Sequence, residues 1–291
     1  MILDVSHKTL YRYSASVVHS QHLIHMSPRL TPGQTVRHHS LLIEPAPAAR
    51  ITGEDAFGNP IVTIEIEVPH KELVLHARST VETSKATSVD FATTTAWDKF
   101  DHVPTAEMLR NDLDALQYRC VSRLTTPSLE IADYAAQSFT PGRPVLEGAL
   151  ELTQRIYDDF TFDATATDIS TPITEVFKAR RGVCQDFAHL SLACLRAMRI
   201  PSRYMSGYIL TFPPPGQTKL QGTDASHAWI SVWSPETGFV GFDPTNGIVA
   251  ADEHVVIAHG RDYDDVSPIS GVLIGGGEHT VSVGVDVTPV P

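Results

Sequence analysis

The stretch GVCQDFAHLSLACLRAMRIP, residues 182–201, constrains the fold more than any other part of the chain. On a wheel at about 100° per residue, a helix starting at Cys184 carries Gln185, Asp186, His189, Ala193 and Arg196 on one arc. Phe187, Leu190, Leu192, Cys194, Leu195 and Met198 fill the rest. A helix that is apolar round most of its circumference has to be buried between other layers. The sequence therefore predicts a central helix, with His189 on its polar arc as either a surface residue or a neighbour that supports the site.

The flanking segments supply those layers. Residues 60–68, PIVTIEIEV, alternate with the period of a half-buried strand, and DAFGNP before them is a turn. KELVLHARSTVET continues the strand character, so residues 1–84 read as a β-rich domain, two antiparallel sheets packed as a sandwich. Residues 85–126 are Thr-, Ser- and Asp-rich, weakly periodic, and read as a connecting segment. Helices are predicted over 128–139 from a Ser128 cap, over 145–160, and over 171–180 with Thr171 as cap and Pro172 at the first helical position. Strands return at 203–210, 227–233 and 238–244, and one more is expected between 268 and 290. The order gives an α+β chain: a β-sandwich, a connection, and a second domain over 127–291.

Charge and cysteine usage exclude several functions. Acidic residues outnumber basic ones, 34 to 22. The resulting negative surface argues against nucleic-acid binding. No run reaches the roughly eighteen apolar residues of a membrane span, and the N-terminus shows no basic leader with an apolar core, so no membrane partner is expected. Three cysteines, Cys120, Cys184 and Cys194, without CxxC spacing suggest neither a disulfide framework nor a zinc site. The expectation is a soluble protein of a reducing cytosol, with no cofactor and no metal.

Why then does a cysteine open the most apolar helix? The start of a helix carries unpaired N–H groups and the positive end of the dipole, which stabilise a thiolate. Against this stands the common use of buried cysteine as a small hydrophobe. The residues downstream decide between them. DASHAWISVW places His227 at the start of one strand, and GFVGFDPTNG places Asp243 at the end of the next. A short SPETG turn between these strands brings the two side by side, and a cysteine facing them completes a nucleophile, a base and a group that orients the base.

GVCQDFAHLSLACLRAMRIPSRYMSGY, SHAWISVW and GFDPTNG, in that order, resemble the transglutaminase-like superfamily, and in particular its bacterial branch of transglutaminase-like cysteine proteases. The resemblance covers nearly the whole chain, including the β-rich N-terminal domain and the 259–275 tail. It implies a papain-like core with Cys184 as nucleophile, His227 as general base and acid, and Asp243 as orienter of the imidazole. It also implies a protein or peptide substrate and a thioester intermediate. Hydrolysis is the expected outcome, because water is always present unless a site excludes it. Amine transfer, as in a crosslinking transglutaminase, and a catalytically silent scaffold are the alternatives. The Cys184 N–H is one natural oxyanion donor. Animal transglutaminases draw a second donor from a tryptophan upstream of the cysteine. None lies between Trp97 and Cys184, which leaves Gln185 or a tyrosine for that role.

Other conspicuous residues have plainer readings. Cys194 and Cys120 are expected to be structural, Cys194 in the core. Asp186 reads as an acid favoured in the first helical turn, and Trp229 and Trp233 as core packing. His19, His22 and His25 alternate faces of a strand and read as structural rather than metal-binding. The run 261–265 is either a salt-bridged loop near the site or an exposed charged turn. The N-terminal domain, expected to carry no catalytic residue, either shapes substrate access or mediates self-association into a homo-oligomer.

Overall fold

The computed structural model describes residues 1–85, 89–102, 113–211 and 226–290. Its N-terminal half is built on one long strand, β1 (Ile2–Ile24). Along one edge of β1 run β4 (Pro60–Ile66) and β5 (His70–Thr83), paired in turn with β3 (Ala49–Glu54) and β2 (Gln34–Glu44). The turn before β4 forms as expected: Gly58 has φ of 70°, and Asp55 Oδ1 accepts from the backbone N–H groups of Phe57 and Asn59. The strands make a single seven-stranded sheet, its register with β5 shifting between Arg12 and Val17. Tyr13, Val17, Ile24, Leu41, Val62, Ile64, Leu73 and Leu75, from both parts of that sheet, share one apolar cluster.

The other edge of β1 is taken by the C-terminal tail. Beyond 268 the chain forms two strands, β13 (Ile269–Gly275) and β14 (His279–Pro289), both antiparallel to β1. Sequence alone puts this tail with the 127–291 domain, whereas strand pairing puts it on the N-terminal sheet. Strand pairing between distant segments leaves no local trace in an alternating pattern.

The middle of the chain is helical. Within the connecting segment, 86–88 and 103–112 lie outside the described residues. The rest packs rather than links: short turns at Phe91–Thr93, Trp97–His102 and Gln117–Arg119 and a short helix α1 (Leu113–Leu116) bury Phe100, Ala115 and Tyr118. Helix α2 (Leu129–Ala136) starts at Ser128, whose hydroxyl accepts from Ile131 N–H at 3.3 Å. Next come α3 (Val145–Asp159), a two-residue strand β6 (Thr161–Phe162), α4 (Ile173–Ala179) behind Pro172, β7 (Arg181–Gly182) beside β6, and α5 (Cys184–Ala197). Antiparallel strands β8 (Ser202–Ile209), β9 (Ser226–Ser234), β10 (Gly238–Asp243), β11 (Ile248–Val249) and β12 (His254–Gly260) form a five-stranded sheet in the order β11-β10-β9-β8-β12. Among the described residues no helix is long and apolar enough to cross a membrane.

Helix α5 lies at the centre, as its wheel requires. Ala188, Leu190, Leu192, Ala193, Cys194 and Leu195 are fully buried against β8, β9 and the other helices. Each buried leucine contributes roughly 1.5–3 kcal/mol. The polar arc is buried too, which decides His189 against the surface alternative. Arg196 donates to Ser122 Oγ, Thr125 Oγ1 and the Arg261 carbonyl, and Tyr263 N–H donates to His189 Nε2. Loops 120–126 and 261–265 cover that face, and a helical wheel carries no information about loops.

The two halves share a core. Leu3, Val5 and Val81 from the N-terminal sheet, and Val285 and Val287 from the tail, belong to the same apolar cluster as α5. Two side-chain amides seal the outer edge of β12. Gln34 pairs both ways with the Val256 backbone (2.7 and 2.8 Å), and Asn59 both ways with that of His259 (2.8 and 2.9 Å). They satisfy edge groups that would otherwise be buried unpaired.

Candidate active site

Cys184 is half-buried at the first position of α5. Asp186 fixes that end of the helix: its carboxylate accepts from Val183 N–H at 2.8 Å and from the Thr167 hydroxyl at 2.6 Å. Gly182 makes the approach possible, since a Cβ there would stand 2.6 Å from Asp186 Oδ2. Burial pushes the Asp186 carboxyl above its ordinary pKa, against those two hydrogen bonds. Asp186 therefore anchors the loop before the cysteine.

His227 and Asp243 are brought together by strand register. Phe242 pairs with Ile230, which puts Asp243 one residue past the pair, within reach of the start of β9. His227 Nε2 lies 2.7 Å from Asp243 Oδ2. The strand on the other side of His227 meets it with Gly207, where a Cβ would sit 1.9 Å from the Val255 carbonyl oxygen. Nε2 is engaged by the carboxylate, so Nδ1 is the nitrogen left for the thiol of Cys184. Burial works against the imidazolium, but the hydrogen bonds and charges of Asp243 and Cys184 outweigh it and raise the His227 pKa to about 9.

Asp243 is fully buried and remains charged because its oxygens are saturated. Oδ1 accepts from Thr245 N–H (2.9 Å) and Asn246 N–H (3.3 Å). Oδ2 accepts from His227, from the Asn246 side chain (2.7 Å) and from His254 Nε2 (3.1 Å). Burial alone would raise this carboxyl, but the hydrogen bonds from His227 and His254 hold it far below the usual carboxylate range. His254, on β12, was not singled out in the sequence. Ala251 N–H donates to its Nδ1 at 3.3 Å, so its proton sits on Nε2, facing the carboxylate. The short apolar run VVIA at 255–258, consistent with a buried strand, was the available signal.

Trp229 forms the wall behind the pair. Its ring stacks on His227 (centroids 6.0 Å apart, planes 20°) and meets His254 edge-on at 5.1 Å. Both tryptophans are buried as expected: Trp233 packs on Phe100, and Trp229 packs on the imidazole. The ligand atoms of His227, Asp243 and His254 lie within 4.8 Å of one another, a spacing that suits a divalent ion. Each is already committed to a hydrogen bond within the group, which explains the cluster without one. Of the remaining histidines, His22 is buried, His25 is bonded to Asp55, and His19 sits by Glu65 in an exposed group with Glu67.

Two further residues approach Cys184. Tyr204, on β8, is fully buried beside His189, ring centroids 5.0 Å apart; burial and then the neighbouring Cys184 push its pKa well up. Gln185 borders a cavity of about 410 Å³ at the same helix end, together with Asp186, His189 and Thr171. Cys194 is buried and its pKa is pushed up to about 12 by burial, as suits a core residue. Cys120, expected to be structural, is exposed. The run 261–265 is salt-bridged: Arg261 pairs with Asp265 at 2.8 Å and Asp264 with Arg123 at 2.6 Å, beside His189.

The family model "Bacterial transglutaminase-like N-terminal region" matches residues 3–82, and "Transglutaminase-like superfamily" matches residues 132–244. An uncharacterised protein of Mycobacterium tuberculosis is 38% identical over 292 residues, 98% of this chain and 92% of its own length. A protein-glutamine gamma-glutamyltransferase of Pseudomonas aeruginosa is 28% identical over 116 residues, 40% of this chain and 17% of its own. The crystal structure of a Cytophaga hutchinsonii protein, provisionally named a cysteine protease, shares the fold. Its TM-score is 0.75 over 99% of this chain and 90% of that one, at 21% identity.

Proposed function

Because this chain belongs to the bacterial transglutaminase-like superfamily, we propose that it is a cysteine-dependent acyl-transfer enzyme that hydrolyses amide or peptide bonds. Cys184 passes its proton to His227 Nδ1 and its sulfur attacks the substrate carbonyl carbon. The C–N bond breaks, the imidazolium gives the proton to the departing amine, and a thioester remains on Cys184. Water then attacks the thioester with His227 as base, releasing the acid and restoring the thiol. Asp243 keeps the imidazole oriented and stabilises its charged form without touching substrate. The backbone N–H of Cys184 faces the developing oxyanion, and Tyr204 is the tyrosine best placed to supply a second donor. The observation that carries this reading is the buried His227–Asp243 pair, 2.7 Å apart, with Cys184, at a helix start, among the groups that raise the imidazole pKa.

The likeness to the Pseudomonas aeruginosa protein-glutamine gamma-glutamyltransferase favours a second outcome for the same thioester, attack by an amine. One experiment addresses both. A cell extract is treated with wild type or with Cys184→Ala, and its peptides are compared by mass spectrometry with and without a primary-amine probe. New free termini seen only with wild type support hydrolysis; probe incorporated at glutamine supports transfer. Neither product, from a correctly folded wild type, contradicts the enzymatic reading and leaves the scaffold.

Two variants grade the roles. His227→Ala is expected to lower kcat/KM by roughly 10³-fold or more, since it removes both the base and the acid. Asp243→Asn keeps the shape and removes the charge that holds the imidazolium. Its alkaline limb of activity is expected to fall from near pH 9 toward the ordinary 6.5, because loss of a favourable carboxylate lowers an imidazole pKa. A pH profile of kcat/KM for wild type and variant checks this; an unmoved alkaline limb contradicts it.

A further inference from the structure

The largest of the described cavities, about 600 Å³, lies between the N-terminal sheet and the open face of the five-stranded sheet, and does not include Cys184. Among the described residues its lining contains Arg29, Lys85 and Arg203 and no aspartate or glutamate, in a chain with 34 acidic and 22 basic residues. The arginine charges face inward. His259, on the same wall, is held neutral by burial and then by the charges of Arg203 and Arg29, its pKa lowered to about 2. Arg29 donates only to neutral acceptors, the Phe57 carbonyl (3.0 Å) and Asn59 Oδ1 (2.8 Å). Arg203 is tied by one nitrogen to Asp114 at 2.7 Å, stacked on Phe239 at 3.6 Å, and has its buried Nε without a partner.

Trp229 is a second, independent pointer. It lines the cavity and is 2% exposed, yet its indole N–H has no acceptor among the described residues. The nitrogen lies beside Gly241, where a Cβ would stand 3.6 Å away, so the missing side chain leaves the N–H facing the cavity. A bound acceptor gives that N–H a hydrogen-bond partner.

We propose that this cavity binds a small carboxylate-bearing molecule, its charge held by Arg29 and Arg203 and one oxygen accepting from the Trp229 indole. The volume falls within the range of small-ligand sites, roughly 300–1,000 Å³. The same Trp229 ring stacks on His227.

The test is an NMR titration of the full chain, following the indole N–H signals of its three tryptophans. Glutarate is the probe, neutral glutaramide the control, with ionic strength held constant by sodium chloride. The Trp229 signal, assigned by its loss in Trp229→Phe, is expected to move saturably with glutarate alone. Arg29→Gln and Arg203→Met are each expected to weaken binding about tenfold, equivalent to about 1.4 kcal/mol. Thermal melts show which variants fold, and if the stacked Arg203 cannot be replaced, Arg29→Gln decides. A blocked tripeptide with a free C-terminus, compared with its amide, separates the sources. Tighter binding than glutarate indicates a peptide end, and weaker binding a free small acid. No saturable shift at high millimolar glutarate, an equal response to glutaramide, or undiminished binding by Arg29→Gln overturns the proposal.

Discussion

Cys184→Ala is expected to abolish turnover, with kcat/KM falling by roughly 10⁵-fold or more, since no other group can carry the acyl intermediate. The neighbouring thiols cannot substitute. Cys194 is buried in the core with its pKa pushed up to about 12, and Cys120 is exposed away from His227. Cys120→Ala is therefore expected to retain wild-type activity. Cys194→Ala should retain activity and lose stability of about 1 kcal/mol, for the small cavity it leaves. Steady-state kinetics of the three variants on a substrate from the extract comparison checks this. Activity of Cys184→Ala within about tenfold of wild type, a barrier difference of only about 1.4 kcal/mol, contradicts a covalent mechanism.

Removing residues 1–84 is expected to destroy the folded state of the remainder. From sequence alone the N-terminal domain looks separable, and its loss should leave the thiol intact provided the rest folds. The structure removes that proviso. Deletion strips Leu3, Val5 and Val81 from the cluster that surrounds α5. It also removes the strand on which β13 and β14 pair, and the amides that seal β12 at Val256 and His259. These losses take packing and strand pairing from a fold whose net stability is ordinarily only about 5–15 kcal/mol. Circular dichroism and a thermal melt of the fragment 85–291 are expected to show no cooperative transition. A sharp transition with native helix content contradicts this.

What was legible in the sequence was what local patterns encode. The burial of α5, the Ser128 cap, the turn at Gly58 and the two strands carrying His227 and Asp243 all follow from periodicity and turn chemistry over short windows. What was not legible depends on segments far apart in the chain. The tail joins β1 across more than two hundred residues, and Gln34 reaches Val256 across a similar distance. His254 meets Asp243 only because β12 crosses to the far side of β8, a placement no motif marks. The same holds for His189 and Arg196, polar residues that appear solvent-facing on the wheel until loops from both sides supply their partners. Trp229 was expected in the core, and burial was the right expectation. That it stacks on the imidazole required the strand register.

The central claim, that His227 and Asp243 activate the thiol of Cys184, is tested most directly by alkylation with iodoacetamide from pH 5 to 10, each cysteine followed separately by peptide mass spectrometry. Cys120, free and exposed, is an internal reference for an unactivated thiol. Alkylation needs thiolate, and an ordinary thiol with a pKa of about 8.5 is nearly all protonated at pH 6. The account predicts that at pH 6 Cys184 reacts at least about tenfold faster than Cys120, despite being less exposed, and that His227→Ala removes the advantage. A Cys184 that reacts no faster than Cys120 at pH 6, or equally fast with and without His227, would contradict it.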